Sequence, residues 1–163
     1  MHLMQKKSPV PTLFLFFFLC EGIGFASGYM ASPTNNDWFD KLIKPSWNPP
    51  AYLFGPVWTI LYLLIGISLW LVWKNKSAEL YKGNVYLLFS IQLFLNFMWS
   101  IIFFKLESPS FAFFDIVLLL ISIGLTMKSF SYYSKLAAWL LLPYISWVSF
   151  ATILNYTIWD LNK

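Results

Sequence analysis

The chain has no arginine, a single histidine and a single cysteine, and only 11% of its 163 residues are charged. Each scarcity closes off a class of function. Cys20 has no second thiol with which to form an internal disulfide or a metal cage. His2 is the only imidazole and lies on the N-terminal tail, so a zinc centre or a histidine-based triad is excluded and no metal is expected. Counting alone leaves serine–lysine and aspartate chemistry open. A soluble domain carries about 25% charged residues, so most of this surface must face something other than water. The formal net charge of +4 comes entirely from lysines in loops and at the ends of apolar runs. They read as topology determinants, not as a nucleic-acid-binding surface.

Apolar runs fill most of the chain. About 20 apolar residues are needed for a helix to cross the hydrocarbon core, where no water can satisfy open backbone groups. Five stretches meet that length, at residues 9–30, 51–73, 80–104, 109–127 and 136–159. They predict an all-α fold, an integral membrane bundle of five transmembrane helices forming one domain over residues 1–163. Aromatics make up 21% of the chain, with nine Trp and 17 Phe. Trp70, Trp73, Trp139 and Trp159 sit at span ends, where amphipathic rings favour the headgroup zone. The first run, preceded by Lys6 and Lys7, also has the build of a signal peptide. Its continuation through Tyr29 and Met30 favours a retained span.

The connector at residues 31–50 is long for a helix link and rich in Pro, Asn and Trp. Long connectors in compact domains are often lids. The other loops are short, which makes neighbouring spans antiparallel. One side of the membrane then carries Lys6, Lys7, Lys74, Lys76, Lys82, Lys128 and Lys135; the other carries Lys41, Lys44, Lys105 and Lys163. The positive-inside rule puts the N-terminus in the cytoplasm, with the long connector and the C-terminus outside. An integral membrane location is the expectation.

Polar groups inside spans are the informative exceptions, because each costs free energy unless paired or hydrated. They are Glu21, Gln92, Asn96, Asp115 and Asn155. At about 1.5 Å per residue, Glu21, Asn96, Asp115 and Asn155 fall within roughly 15 Å of the connector side. Trp58 and Trp99 lie in the same half, and Trp147 lies nearer the midplane. Gln92, Asn96, Trp99 and Phe103 share a helical face, as do Pro143, Trp147, Ala151, Leu154 and Ile158, while Trp58 and Tyr62 are one turn apart. Pro143 removes a backbone donor and should bend the last span. Together these features predict a ligand cavity beneath the connector. Plainer roles stand beside that reading. Asn96 and Asn155 can simply link helices by hydrogen bonds, Asp115 can snorkel to the interface, and Gly22, Gly24 and Ser27 can serve close helix contact.

The motifs form a recognisable series. Lys44-Pro-Ser-Trp-Asn-Pro-Pro50 leads into Phe54-Gly-Pro-Val-Trp-Thr-Ile-Leu-Tyr62. Gln92-Leu-Phe-Leu-Asn96-Phe-Met-Trp-Ser100, Asp115, Pro143-Tyr-Ile-Ser-Trp147 and Phe150-Ala-Thr-Ile-Leu-Asn-Tyr-Thr-Ile-Trp159 follow. The set resembles the tryptophan-rich sensory protein family, TspO/MBR, also known as translocator protein or peripheral benzodiazepine receptor, over about residues 10–162. The resemblance implies a five-helix bundle, commonly a homodimer, that binds porphyrins such as protoporphyrin IX. No cofactor is required; the porphyrin is the ligand, and membrane lipid is a further partner. A bacterial cytoplasmic membrane is the location the resemblance implies. By motif position, Trp58 and Trp147 match tryptophans implicated in light-dependent porphyrin degradation. They are the candidate catalytic residues, acting as redox donors and not as acid–base groups. Trp47, Tyr62, Asn96, Trp99, Asp115 and Ala151 match further ligand-binding positions. Leu154 and Tyr156 are followed by Asp160, with the next basic residue only at Lys163, so the cholesterol motif of eukaryotic relatives is not reproduced.

The resemblance thus implies a tetrapyrrole-binding protein acting in sensing, stress response or light-driven degradation. The alternative is a transporter moving porphyrin or lipid, and a scaffold subunit is a third reading. Alternating access usually calls for repeated halves or broken helices; no repeat is visible, and Pro143 marks the one expected break.

Overall fold

The computed structural model describes residues 10–31, 37–75 and 82–163. Five of its helices, or pairs of consecutive helices, are long and apolar enough to cross a membrane. The first span is α1 (Val10–Met30), and α2 (Asp37–Lys41) is a short helix in the connector. The second span is α3 (Ala51–Lys74). The third is α4 (Lys82–Ser100), which continues as a π-helical turn over Ile101–Lys105. The fourth is α5 (Pro109–Ser131), and the fifth is divided into α6 (Lys135–Leu140) and α7 (Leu142–Leu161). Lys6, Lys7 and Lys76, which contribute to the lysine asymmetry, lie outside the described residues.

The helices follow from apolar runs punctuated by prolines and caps. Pro109 occupies the first turn of α5, where its missing donor costs nothing. Ser134 caps α6 by accepting from the Ala137 N–H at 3.2 Å. Pro143 bends the fifth span as its chemistry requires: the helix breaks at Leu141 and restarts with Pro143 in its first turn. The third span ends differently, in a wider turn. The Leu106 N–H reaches back five residues to Ile101 O at 3.0 Å, and Glu107 then adopts a left-handed φ of 51° as the chain reverses into α5.

The spans form a closed ring. α1 packs on α3 and α4, α4 packs on α5, α5 packs on both α6 and α7, and α6 closes the ring against α3. α3 meets α7 only lightly, so the second and fifth spans touch near α6 and diverge beyond the break. Ser68 ties the closed end by donating to Ala137 O at 2.7 Å. Lys74, Lys128 and Lys135 lie at that end. At the opposite end, Trp38, Phe39 and Leu42 of the connector join Phe103, Ala112, Leu154 and Ile158 in a second apolar cluster. There the C-terminal Lys163 Nζ bonds Asp160 Oδ1 at 2.7 Å, and this hydrogen bond to a carboxylate raises the ammonium pKa.

Two glycines set the closeness of α1 and α3. A Cβ on Gly66 would come within 3.2 Å of the Phe16 carbonyl oxygen, and one on Gly24 would run into the Tyr62 ring. Gly22 faces open space, so only part of the small-residue set predicted for helix contact is used inside the bundle. Gly66→Leu should force the two helices apart and cost about 1–3 kcal/mol. Gly22→Leu should leave stability unchanged. Reversible unfolding in mixed micelles measures both.

Candidate functional site

At the centre of the bundle a buried hydrogen-bond relay joins three spans. The Tyr62 hydroxyl of α3 donates to Asn96 Oδ1 of α4. Asn96 Nδ2 donates to the Tyr144 hydroxyl oxygen of α7 at 3.0 Å. All three side chains are buried. Trp58, one turn before Tyr62, packs its indole 5.6 Å from the Tyr62 ring and 6.3 Å from the Tyr144 ring. Spacing foresaw the Trp58–Tyr62 pair and the inward Asn96. It missed Tyr144, because the buried face of α7 runs through Tyr144, Val148, Leu154, Asn155 and Ile158. Of the stripe predicted on Pro143, Trp147, Ala151, Leu154 and Ile158, the last two lie on this buried face, Trp147 and Ala151 are half-buried on its flank and Pro143 is exposed.

A second relay lies nearer the connector. Trp99 Nε1 donates to Asn155 Oδ1 at 2.9 Å, and Asn155 Nδ2 donates to Pro109 O at 2.8 Å. The third, fifth and fourth spans are thereby joined. Trp99 also stacks on Phe103 at 5.2 Å. Asp115 is buried, with Oδ2 enclosed and unbonded. Ala151 is half-buried against the main core. Trp147 belongs to an aromatic chain: Phe54 lies at 5.9 Å, Phe150 at 5.6 Å, and Trp47 of the connector meets Phe150 at 5.8 Å.

A groove of about 410 Å³ opens between the second and fifth spans, where they diverge. Val57, Ile60 and Leu61 form one wall; Pro143, Ser146, Trp147 and Phe150 form the other. It is a shallow, open groove on the flank of the bundle, not an enclosed pocket. Of the predicted ligand-binding residues Trp147 lines it, Trp58 packs behind it on Tyr62 and Tyr144, and Trp47 touches the groove residue Phe150. Tyr62, Asn96, Trp99, Asp115 and Ala151 lie deeper or on other flanks, so the predicted set divides between an aromatic groove and two interior relays. The recurrence of Pro143, Trp147 and Phe150 at helical spacing was the available signal for the second wall. The first wall carries no polar or aromatic signature.

Glu21 Oε1 and both amide heteroatoms of Gln92 are also enclosed without a hydrogen-bond partner. Among the described residues, no three of His, Cys, Asp and Glu come together. The reactive groups concentrated here are indoles and phenols, which stack on flat rings and donate electrons. The two relays make a sharp energetic prediction. Tyr62→Phe strands one buried acceptor, Asn96 Oδ1, and should cost about 1–3 kcal/mol, whereas Asn96→Ala strands two buried hydroxyls and should cost more. Unfolding free energies in mixed micelles rank the two.

Comparison with known proteins adds the lineage. Residues 16–160 match the model of the TspO/MBR family. The chain is 48% identical to Tryptophan-rich protein TspO of Chlorobaculum tepidum, over 98% of this chain and 99% of that protein. It is 43% identical to Tryptophan-rich protein TspO of Archaeoglobus fulgidus, over 86% of this chain and 90% of that one. Against the human Translocator protein the identity is 41%, over 77% and 75% respectively. With the five-span ring and the ordered tryptophan motifs, these matches establish that the chain belongs to the TspO/MBR family.

Proposed function

We propose that this protein binds a flat tetrapyrrole of the protoporphyrin IX class at the aromatic groove between the second and fifth spans, and acts in tetrapyrrole or stress sensing or in light-dependent porphyrin degradation. The observation that supports this most directly is the aromatic lining. Trp147 and Phe150 line the groove, Phe54 and Trp47 extend them in ring contact toward the connector, and Trp58 lies behind the groove against Tyr62 and Tyr144. A macrocycle laid against them gains about 0.5–1.5 kcal/mol per ring contact beyond its burial. The rest of the groove is aliphatic and suits the ring edges. Propionates would stay at the wet rim, where Lys41 is exposed and Lys44 lies in the connector.

In this reading Trp58 and Trp147 act under light. A photoexcited porphyrin in ring contact can take an electron from an indole or pass its excitation to dioxygen, and no acid–base group is needed. Trp99, Tyr62, Asn96 and Asp115 would supply polar contacts behind the groove, and Ala151 an apolar one. Membrane lipid and a second copy of the chain are the proposed partners. The proposed setting is a bacterial cytoplasmic membrane with the N-terminus on the cytoplasmic side, in line with Lys74, Lys128 and Lys135 gathering at one end.

A transport reading draws on the groove's opening toward lipid and on the printed name of the human relative, Translocator protein. Porphyrin flux into proteoliposomes, with bleaching followed in parallel, separates transport from degradation. Titration with protoporphyrin IX should quench tryptophan fluorescence saturably, and Trp147→Ala should weaken binding about five- to twenty-fold. Absence of quenching in the wild-type protein would rule out the tetrapyrrole reading. Under illumination, the Trp58→Phe, Trp147→Phe double variant should lose most bleaching while still binding; bleaching at the wild-type rate would rule out the indoles as donors.

A further inference from the structure

The last carbonyls of a helix have no partner within it. At the end of α7, Asn162 Nδ2 donates to Ile158 O at 2.7 Å. The same amide reaches across to the connector, 119 residues away in sequence: Nδ2 donates to Ile43 O at 2.9 Å, and Oδ1 accepts from the Ile43 N–H at 2.9 Å. One primary amide therefore holds both polar groups of Ile43 while capping its own helix. A carboxylate can accept but not donate, and an ammonium can donate but not accept, so the three-way arrangement needs an amide.

The side chain of Ile43 does not explain the docking, because it is 60% exposed. The backbone is held by the amide. On either side of Ile43 the connector rests on aromatic rings. Trp38 and Phe39 meet Phe103 at 5.8 and 6.1 Å, and Trp47 meets Phe150, the groove residue. Asn162 thus fastens the middle of a strap whose two ends cover neighbouring parts of the aromatic cluster.

We propose that Asn162 is a latch: it pins the strap formed by residues 37–50 across this end of the bundle and so sets how fast a ligand enters and leaves the groove. The pinning stands on the hydrogen bonds alone, whereas the kinetic consequence rests on the tetrapyrrole reading above. Asn162→Ala removes all three bonds. Asn162→Asp keeps an acceptor for the Ile43 N–H but sets a carboxylate against the carbonyls of Ile43 and Ile158. The test has two arms, both on the full chain in lipid nanodiscs. In the ligand-free arm, amide hydrogen exchange at Ile43 should accelerate about five- to thirty-fold in Asn162→Ala and by less in Asn162→Asp, with α3 exchange unchanged. In the second arm, stopped-flow quenching by protoporphyrin IX should show association and dissociation both faster in Asn162→Ala, with Kd moving less than either rate. A residue serving only the fold would lower stability and binding amplitude without speeding association. Unchanged exchange at Ile43 overturns the latch. Faster exchange with unaltered ligand rates overturns its control of access. If the wild-type protein fails to quench at all, the tetrapyrrole reading falls and with it the access role, while the exchange arm still decides the pinning.

Discussion

Polar groups inside a bilayer must find their partners within the protein, because no water is there to take their place. That constraint organises this molecule. Asn96 is the clearest case. It accepts from Tyr62 and donates to Tyr144, so a single amide fixes the second, third and fifth spans relative to one another. Asn155 does the same for the third, fourth and fifth spans through Trp99 and Pro109. Apolar contact alone does not distinguish one helix arrangement from another in lipid, since the tails are as apolar as the side chains. Directional bonds of this kind select the ring order.

The second constraint is the break in the fifth span. α6 packs against α3, and Ser68 locks that end; beyond Leu141 the partners separate. The bundle is therefore closed at the lysine-rich end formed by Lys74, Lys128 and Lys135, and cleft on one flank toward the connector. Trp147 and Phe150 line the cleft, with Phe54 and Trp47 in ring contact with them. A proline that removes one backbone bond thus becomes the source of the groove, and the connector's Trp47 lies over the end of it.

Much of this architecture was legible in the sequence. Length and hydropathy were enough for the five spans, because a bilayer imposes a fixed length on a helix. Pro143 announced the break, and Asn96 and Asn155 announced themselves as costly polar groups needing partners. The facing of the fifth span was not legible. Both Pro143–Trp147 and Tyr144–Val148 satisfy helical spacing, and in lipid a tyrosine or tryptophan is at home on either face, so the pattern could not choose between them. Val57, Ile60 and Leu61 were equally silent, since aliphatic residues line a groove and face lipid with the same chemistry. The clasp between Asn162 and Ile43 is a contact between residues 119 apart in sequence, and nothing local marks it.

The groove between α3 and α7 has a thermodynamic consequence. Ile60 and Pro143, both exposed, line the groove on the outer flank of the bundle. For a ligand that first dissolves in the membrane, the groove on this flank would be reached by two-dimensional diffusion, from a phase that concentrates flat apolar molecules. Its occupancy therefore follows the mole fraction of solute in the lipid. The same protein in sparse and in abundant lipid would yield different apparent affinities for one total dose, with the intrinsic affinity of the groove unchanged.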